Sequence, residues 1–500
     1  MHWIDWLVLA GYTACLVGIA WRASRGQQGA DSHLRAGRSL PAWAVVFSIL
    51  ATEISAATYV GVPEAGFKGD WSYLQFAIGN LLGKVALATF VIGLYWKLNL
   101  ETAYGFLGQR IGPRSQRASA WGFLAGRLIA SGVRLYIAAI AFSVVTDASL
   151  TAAIVAMAAL STLYTLVGGL KAIVWTDVAQ GMTFLIGAAA ALWFGVMETP
   201  IPLAQGLDEI AAAGKTAIFN FDAGDSPWYG SNKTLPMAVL GGFFLVLATH
   251  GTDQIMVQHL LNTRSQKGAT RSLVTAGLFT FPVVILFLSL GTMLWLYHRH
   301  VPATAYDLSD PDQVKRVFPQ FIKHVIPPGL RGLAFAGLFA AAIASLGATL
   351  NAATATWVSD LFPPRAGRES SLRAVRGLGA LFGLLLASIA LFFANYDARG
   401  TTDLVQTALS AMTIVYGGIL GTFACALIPG RRFEDRAVVV GLAAGVVTGA
   451  ILFFQQPLAK FAGIELEHKL EWPLYIPISA GVTIAFALLG SLRAKEVRTT

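Results

Sequence analysis

Along this chain, apolar runs near the roughly 20 residues needed to span hydrocarbon follow one another from end to end. They fall at residues 3–21, 41–66, 71–95, 118–146, 150–168, 172–198, 235–260, 271–298, 330–360, 373–395, 402–428, 436–455 and 472–492. The pattern predicts an all-α membrane protein of about 13 transmembrane helices in one transporter-sized domain, each helix one run long. A leading helix (3–21) precedes ten core helices, numbered one to ten here, in two sets at 41–198 and 235–428; two trailing helices follow at 436–492. No positive stretch precedes Trp3, so the first run is expected to stay as a helix and not to act as a signal peptide. The segment 199–234 carries Gly, Asp and Pro without any pattern of a separate soluble domain.

Composition sharpens this. Hydrophobic residues make up 55% of the 500 and charged residues only 13%, where a soluble domain carries roughly 25%. A soluble enzyme, a disordered chain and a disulfide scaffold are excluded. Cys15 and Cys425 sit inside apolar runs with no CxxC pair, and GxSxG and HExxH strings are absent, so no enzyme chemistry is expected. The net charge of +9 is informative by position. Arg22, Arg25, Arg35 and Arg38 lie in one loop; Lys97, Arg110, Arg114 and Arg117, then Lys171, then Arg264, Lys267 and Arg271, then Arg365, Arg368, Arg373 and Arg376, lie two spans further each time. Positive charge marks the cytoplasmic side. The expectation is an inner (plasma) membrane of bacterial type, N-terminus outside and C-terminus cytoplasmic, with the lipid bilayer as partner and no nucleic acid.

The exceptions inside the spans carry the chemistry. Glu53, Lys84, Arg127, Arg134, Asp177 and Asp253 are ionisable residues at membrane depth. Each is costly there unless it pairs or meets water, so each faces the bundle interior. Two readings fit: mutually satisfied pairs that lock helices together, and a hydrated pathway. Core helices one and six also look interrupted, at Thr52-Glu53-Ile54-Ser55-Ala56-Ala57-Thr58 with Gly61 and Pro63 beyond, and at Thr249-His250-Gly251-Thr252-Asp253-Gln254. Broken helices at corresponding places in two halves point to a transporter's central site; a Pro kink with back-bonded Ser and Thr is the plainer alternative for either helix alone. In core helix eight, Ala341, Ser345, Ala348 and Ala352 share one face. Such a stripe serves tight helix packing, and Ser345 and Thr349 add hydroxyls to that seam.

These strings carry a resemblance. Thr52 to Pro63 resembles the first-helix motif of the sodium/solute symporter family, whose members include sodium/glucose, proline, sialate, iodide and monocarboxylate transporters. Gly168-Gly169-Leu170-Lys171-Ala172-Ile173-Val174-Trp175-Thr176-Asp177-Val178-Ala179-Gln180 is similar to another of its strings, as are Asp253-Gln254 with Gln258 and the helix-eight run through Asp360. The resemblance implies the leucine-transporter-type fold, a 5+5 inverted repeat with leading and trailing helices. It also implies a sodium ion, co-transported and not resident, held by the backbone carbonyls of Ala51, Ile54 and Ala341 and by the Ser345 hydroxyl. Relatives that bind a second sodium use an acid at the position of Asp177 and hydroxyls at those of Ala344, Gly347 and Ala348. Here those hydroxyls are missing, which leaves Asp177 and Thr349 as a second-site remnant or a release path. Substrate candidates by the same resemblance are Thr58, Gln75, Arg134, Asp253 and Gln254. The forked guanidinium of Arg134 suits a carboxylate, and a pairing of Arg134 with Glu53 or Asp253 is the competing reading.

The function expected is sodium-coupled symport of a small organic solute (sugar, monocarboxylate, sialate or amino acid) by alternating access. Proton coupling through Asp177 and Glu53 is the alternative within the fold. A sensor module is a weaker one, since only residues 493–500 follow the last span.

Overall fold

The computed structural model describes residues 1–25, 29–34, 36–54, 56–301, 314, 316–364, 371–396 and 404–499. Ser55 of the first-helix string and the loop residues Arg35, Arg365 and Arg368 lie outside them. Among the described residues the elements are helices, with one isolated bridge between Leu40 and Thr263.

The helices follow the apolar runs. They are α1 (Trp3–Ser24), α2 (Ala42–Glu53), α3 (Ala56–Lys68), α4 (Leu74–Phe90), α5 (Pro113–Thr146), α6 (Leu150–Glu198), α7 (Leu235–Gly251), α8 (Gln254–Leu261), α9 (Gln266–His300), α10 (Leu330–Thr356), α11 (Leu372–Tyr396), α12 (Leu404–Leu427), α13 (Asp435–Phe453) and α14 (Tyr475–Thr499). Small polar residues set several starts: the side chains of Ser149 and Ser265 accept from the backbone N–H groups of Ala152 and Gly268. Pro113, whose missing N–H is harmless in a first turn, opens α5.

Core helix one is the pair α2 and α3, bent by 63°, and core helix six is the pair α7 and α8, bent by 64°. The two interruptions read from polar residues are therefore real breaks of equal size. Among the described residues, nine helices are long and apolar enough to cross a membrane, or eleven if each bent pair is one span. Core helices four and five run together as α6, divided only at Gly169, whose φ of 60° and ψ of −167° are not helical. At the centre stands α10, with 94% of its apolar window buried. It touches α1, α2, α5 and α6, and small side chains allow that crowding.

Gly169 explains part of the Gly168-to-Gln180 string. Its backbone region is essentially open to Gly alone, and a Cβ there would sit 2.3 Å from the His33 carbonyl oxygen. Gly169→Ala is expected to destabilise the protein by about 1–3 kcal/mol, seen as a lowered melting temperature in detergent. An unchanged melting temperature would show that the kink does not need this glycine.

Candidate functional site

A helix that stops inside a bundle leaves its last carbonyls without intrahelical donors. In α2 the Ile54 N–H donates to the Leu50 oxygen at 2.8 Å, and Ser55, the next donor along the helix, lies outside the described residues. Ala51, Ile54, Ala341 and Ser345 are all buried, and α2 and α10, which carry or adjoin them, are in contact. The Ser345 hydroxyl donates back to the Ala342 carbonyl at 3.2 Å, which keeps its oxygen lone pairs available to a cation. One turn on, the Thr349 hydroxyl donates to the Ser345 carbonyl at 2.8 Å and meets the Ser131 hydroxyl of α5 at 2.9 Å.

Beside the break lies a central cavity of about 180 Å³. Its wall includes Thr52, Glu53, Ile54 and Thr58 from the α2–α3 break, and Thr249 and His250 from the end of α7. The Lys84 ammonium, fully buried, contacts both carboxylate oxygens of Glu53, at 2.7 and 2.9 Å. His250 Nε2 lies 2.5 Å from Glu53 Oε1. One carboxylate thus ties together the breaks of both bent helices and α4. Asp253 caps α8 by accepting from the Ile255 N–H at 2.8 Å, accepts a very short bond from the Tyr416 hydroxyl, and lies 3.3 Å from Arg127 Nη1.

Four of the six intramembrane charges therefore pair. Arg134 and Asp177 do not pair with each other or, among the described residues, with any other charge. Arg134 lines the cavity, and among the described residues its Nη2 reaches only the Met412 sulfur, at 3.7 Å. The competing pairings of Arg134 with Glu53 or Asp253 are not made, because Lys84 and Arg127 hold those places. Asp177 accepts from the Ser48 hydroxyl of α2 at 2.5 Å, while its Oδ1 is buried without a partner among the described residues. At Gly347 a Cβ would come 2.0 Å from the Tyr164 hydroxyl, so a serine there would require the Tyr164 ring to shift.

The five substrate candidates separate. Thr58 and Arg134 line the cavity. Gln75 is buried in the wall of a loop instead, donating to the Ser72 and Lys233 carbonyls at 3.0 Å each and accepting from the Asn220 N–H at 3.1 Å. Asp253 is committed to its cap and Arg127, and Gln254 Oε1 accepts from the Ala103 N–H at 2.8 Å. Sequence reasoning missed Asn80 and Met412, both in the cavity wall, and Tyr416 behind it. The buried Asn80 Oδ1 has no partner among the described residues. Asn80 stands one turn before Lys84, a signal that was legible; nothing in the apolar run around Tyr416 marks it.

At the opposite end from the α3–α4 turn, the bundle is laced shut. Thr102 Oγ1 and Gln116 Nε2 donate to Asp360 Oδ1 at 2.7 and 2.9 Å, and Gln258 Nε2 donates to the Leu34 carbonyl at 2.5 Å.

The family model described as the sodium:solute symporter family matches residues 33–422. The chain is 26% identical over 453 residues to the sodium/sialic acid symporter NanT of Aliivibrio fischeri, covering 89% of this chain and 86% of that one. It is 28% identical over 452 residues to the Homo sapiens sodium-coupled monocarboxylate transporter 1, covering 88% and 72%. Among solved structures it is similar to a substrate-bound outward-open Na+-coupled sialic acid symporter, with a TM-score of 0.82 at 23% identity over 98% of this chain and 97% of that one. The likeness shows the leucine-transporter-type fold expected from the sequence.

Proposed function

The chain belongs to the sodium:solute symporter family, and we propose that the solute it carries with sodium is a small carboxylate held by Arg134 in the central cavity. One observation carries this reading: Arg134 is the cavity cation that, among the described residues, has no acidic partner. A guanidinium kept at membrane depth without a counterion is costly. An anionic solute supplies the missing charge, and the planar fork favours a carboxylate. The acidic solutes named for NanT and for the monocarboxylate transporter support the same class. Thr58 and the unpartnered Asn80 Oδ1 offer an acceptor-donor pair for the solute's neutral polar groups.

Sodium sits, in this reading, between the Ala51, Ile54 and Ala341 carbonyls and the Ser345 hydroxyl. Ile54 also lines the cavity, so ion and solute share the same broken turn. Whatever conformation sodium favours there, the solute favours too, and each raises the other's affinity by one common factor. With the loop charges placing the α3–α4 turn outside, the cavity lies in the outer half and the laced end faces the cytoplasm. One sodium accompanies each solute, because Asp177 faces Ser48 and has no hydroxyl from α10 at Ala344, Gly347 or Ala348. Sodium, stripped of water, requires several oxygens that a lone carboxylate and one hydroxyl do not supply.

Two measurements test this. In proteoliposomes with an inward sodium gradient, N-acetylneuraminate or lactate is expected to enter while glucose is not. Arg134→Gln should weaken the acid's half-saturation by roughly thirtyfold, about 2 kcal/mol for a lost charged hydrogen bond. Glucose uptake indifferent to Arg134→Gln would refute the assignment. Separately, Ser345→Ala should raise half-saturating sodium about tenfold, the scale of one lost ligand bond near 1.4 kcal/mol, with folded yield unchanged. An unaltered sodium dependence would remove Ser345 from the ion site.

A further inference from the structure

Arg127 stands seven residues before Arg134 on α5, and seven residues are almost two full turns, so both project from one face about 10 Å apart. Both line the central cavity. Arg134 lies on the side of the α3–α4 turn and Arg127 towards the laced end, because α5 runs from that end to the other. Arg127 is bound by few contacts for a buried cation, to Asp253 and to the Tyr416 hydroxyl. Its side chain is 5% exposed, its one ion-pair contact among the described residues is a single 3.3 Å approach to Asp253, and its Nε is buried without a partner. A guanidinium that meets a carboxylate in fork geometry uses two N–H groups; here one remains unused.

Asp253, on the other side, keeps two hydrogen bonds when Arg127 turns away. It keeps the Tyr416 hydroxyl on Oδ2 and the Ile255 N–H on Oδ1. Arg127 can therefore turn towards another carboxylate without leaving Asp253 stranded, whereas the forked contacts of Lys84 on Glu53 leave no such freedom.

We propose that Arg127 is a second carboxylate station, which takes the acidic solute from Arg134 on its way to the cytoplasm and returns to Asp253 when the solute departs. The inference rests on the reading of Arg134 as carboxylate anchor. It assigns Asp253 the role of competitor that ejects the solute: the aspartate reclaims Arg127, and the solute carboxylate is released to water.

The test uses full-length protein, with N-acetylneuraminate and lactate as probes. In Arg127→Lys, and in the uncharged double variant Arg127→Gln with Asp253→Asn, equilibrium binding from the outer face in sodium should stay within about threefold of wild type. The half-saturation for efflux from preloaded right-side-out vesicles should weaken at least tenfold, and uptake should slow by a similar factor. Asp253→Asn alone should shift the inner half-saturation the other way, to tighter values, because the competitor is gone. A merely structural role for Arg127 would slow transport in every variant and leave the inner half-saturation where it was. That outcome, or loss of outer binding as large as that of Arg134→Gln, overturns the proposal. Wild-type protein that carries neither acid overturns the Arg134 reading and this inference with it; dependence on Arg134 with indifference to Arg127 overturns this inference alone.

Discussion

A charge buried in hydrocarbon needs a partner, and most of the interior of this bundle is arranged around that need. Glu53 is the last residue of α2, placed where the helix stops, and it holds the Lys84 ammonium of α4 while touching His250 at the end of α7. Removing one member of such a buried pair costs about 3–5 kcal/mol, since the other is left uncompensated. The two breaks are thus fastened to each other through side chains even though their backbones have stopped being helical. Asp253 repeats the device in the second half, capping α8 and meeting Arg127. Asp253 also accepts from the Ile255 N–H, one of the backbone donors that the 64° break leaves at membrane depth.

From that arrangement the coupling follows. The cavity wall takes in Thr52, Glu53 and Ile54 at the end of α2. In the proposed reading, ion and solute meet at this one short stretch of chain, and no long pathway is required to link them. The far end is closed by polar contacts of another kind: Asp360 with Thr102 and Gln116, Gln254 with Ala103, Gln258 with Leu34. These are neutral or singly charged hydrogen bonds worth roughly 1 kcal/mol each net, up to about 3 where a charge is involved. Contacts of that size can be exchanged as the end opens and closes, whereas the two contacts of Lys84 on Glu53 tie α2 to α4 more firmly.

How far the sequence reveals this depends on the kind of residue. Spans, breaks and the burden of six charges were legible because hydrocarbon admits so few polar residues that each exception stands out. The division of α6 at Gly169 was legible as a boundary between runs, but not as one continuous helix with a single glycine kink. Which charge meets which was not legible. Gln75 read as a cavity residue by its place on core helix two, yet it faces the loop at Asn220 and Lys233. A helix's rotation about its axis decides that, and neighbouring helices set the rotation. Tyr416 and Met412 were hidden for the converse reason: apolar residues in an apolar run give no signal until the fold brings Asp253 and Arg134 against them.

The central claim is an unmatched cation at Arg134 that is neutralised by an acidic solute, with one sodium at the α2–α10 seam. It fixes the charge that crosses the membrane: one sodium and one monocarboxylate move no net charge. Simultaneous measurement of current and lactate flux in proteoliposomes, with the potential clamped by potassium and valinomycin, tests this most directly. The account predicts a charge-to-solute ratio near zero. A ratio near one would mean a second sodium, place it at Asp177, and contradict the account.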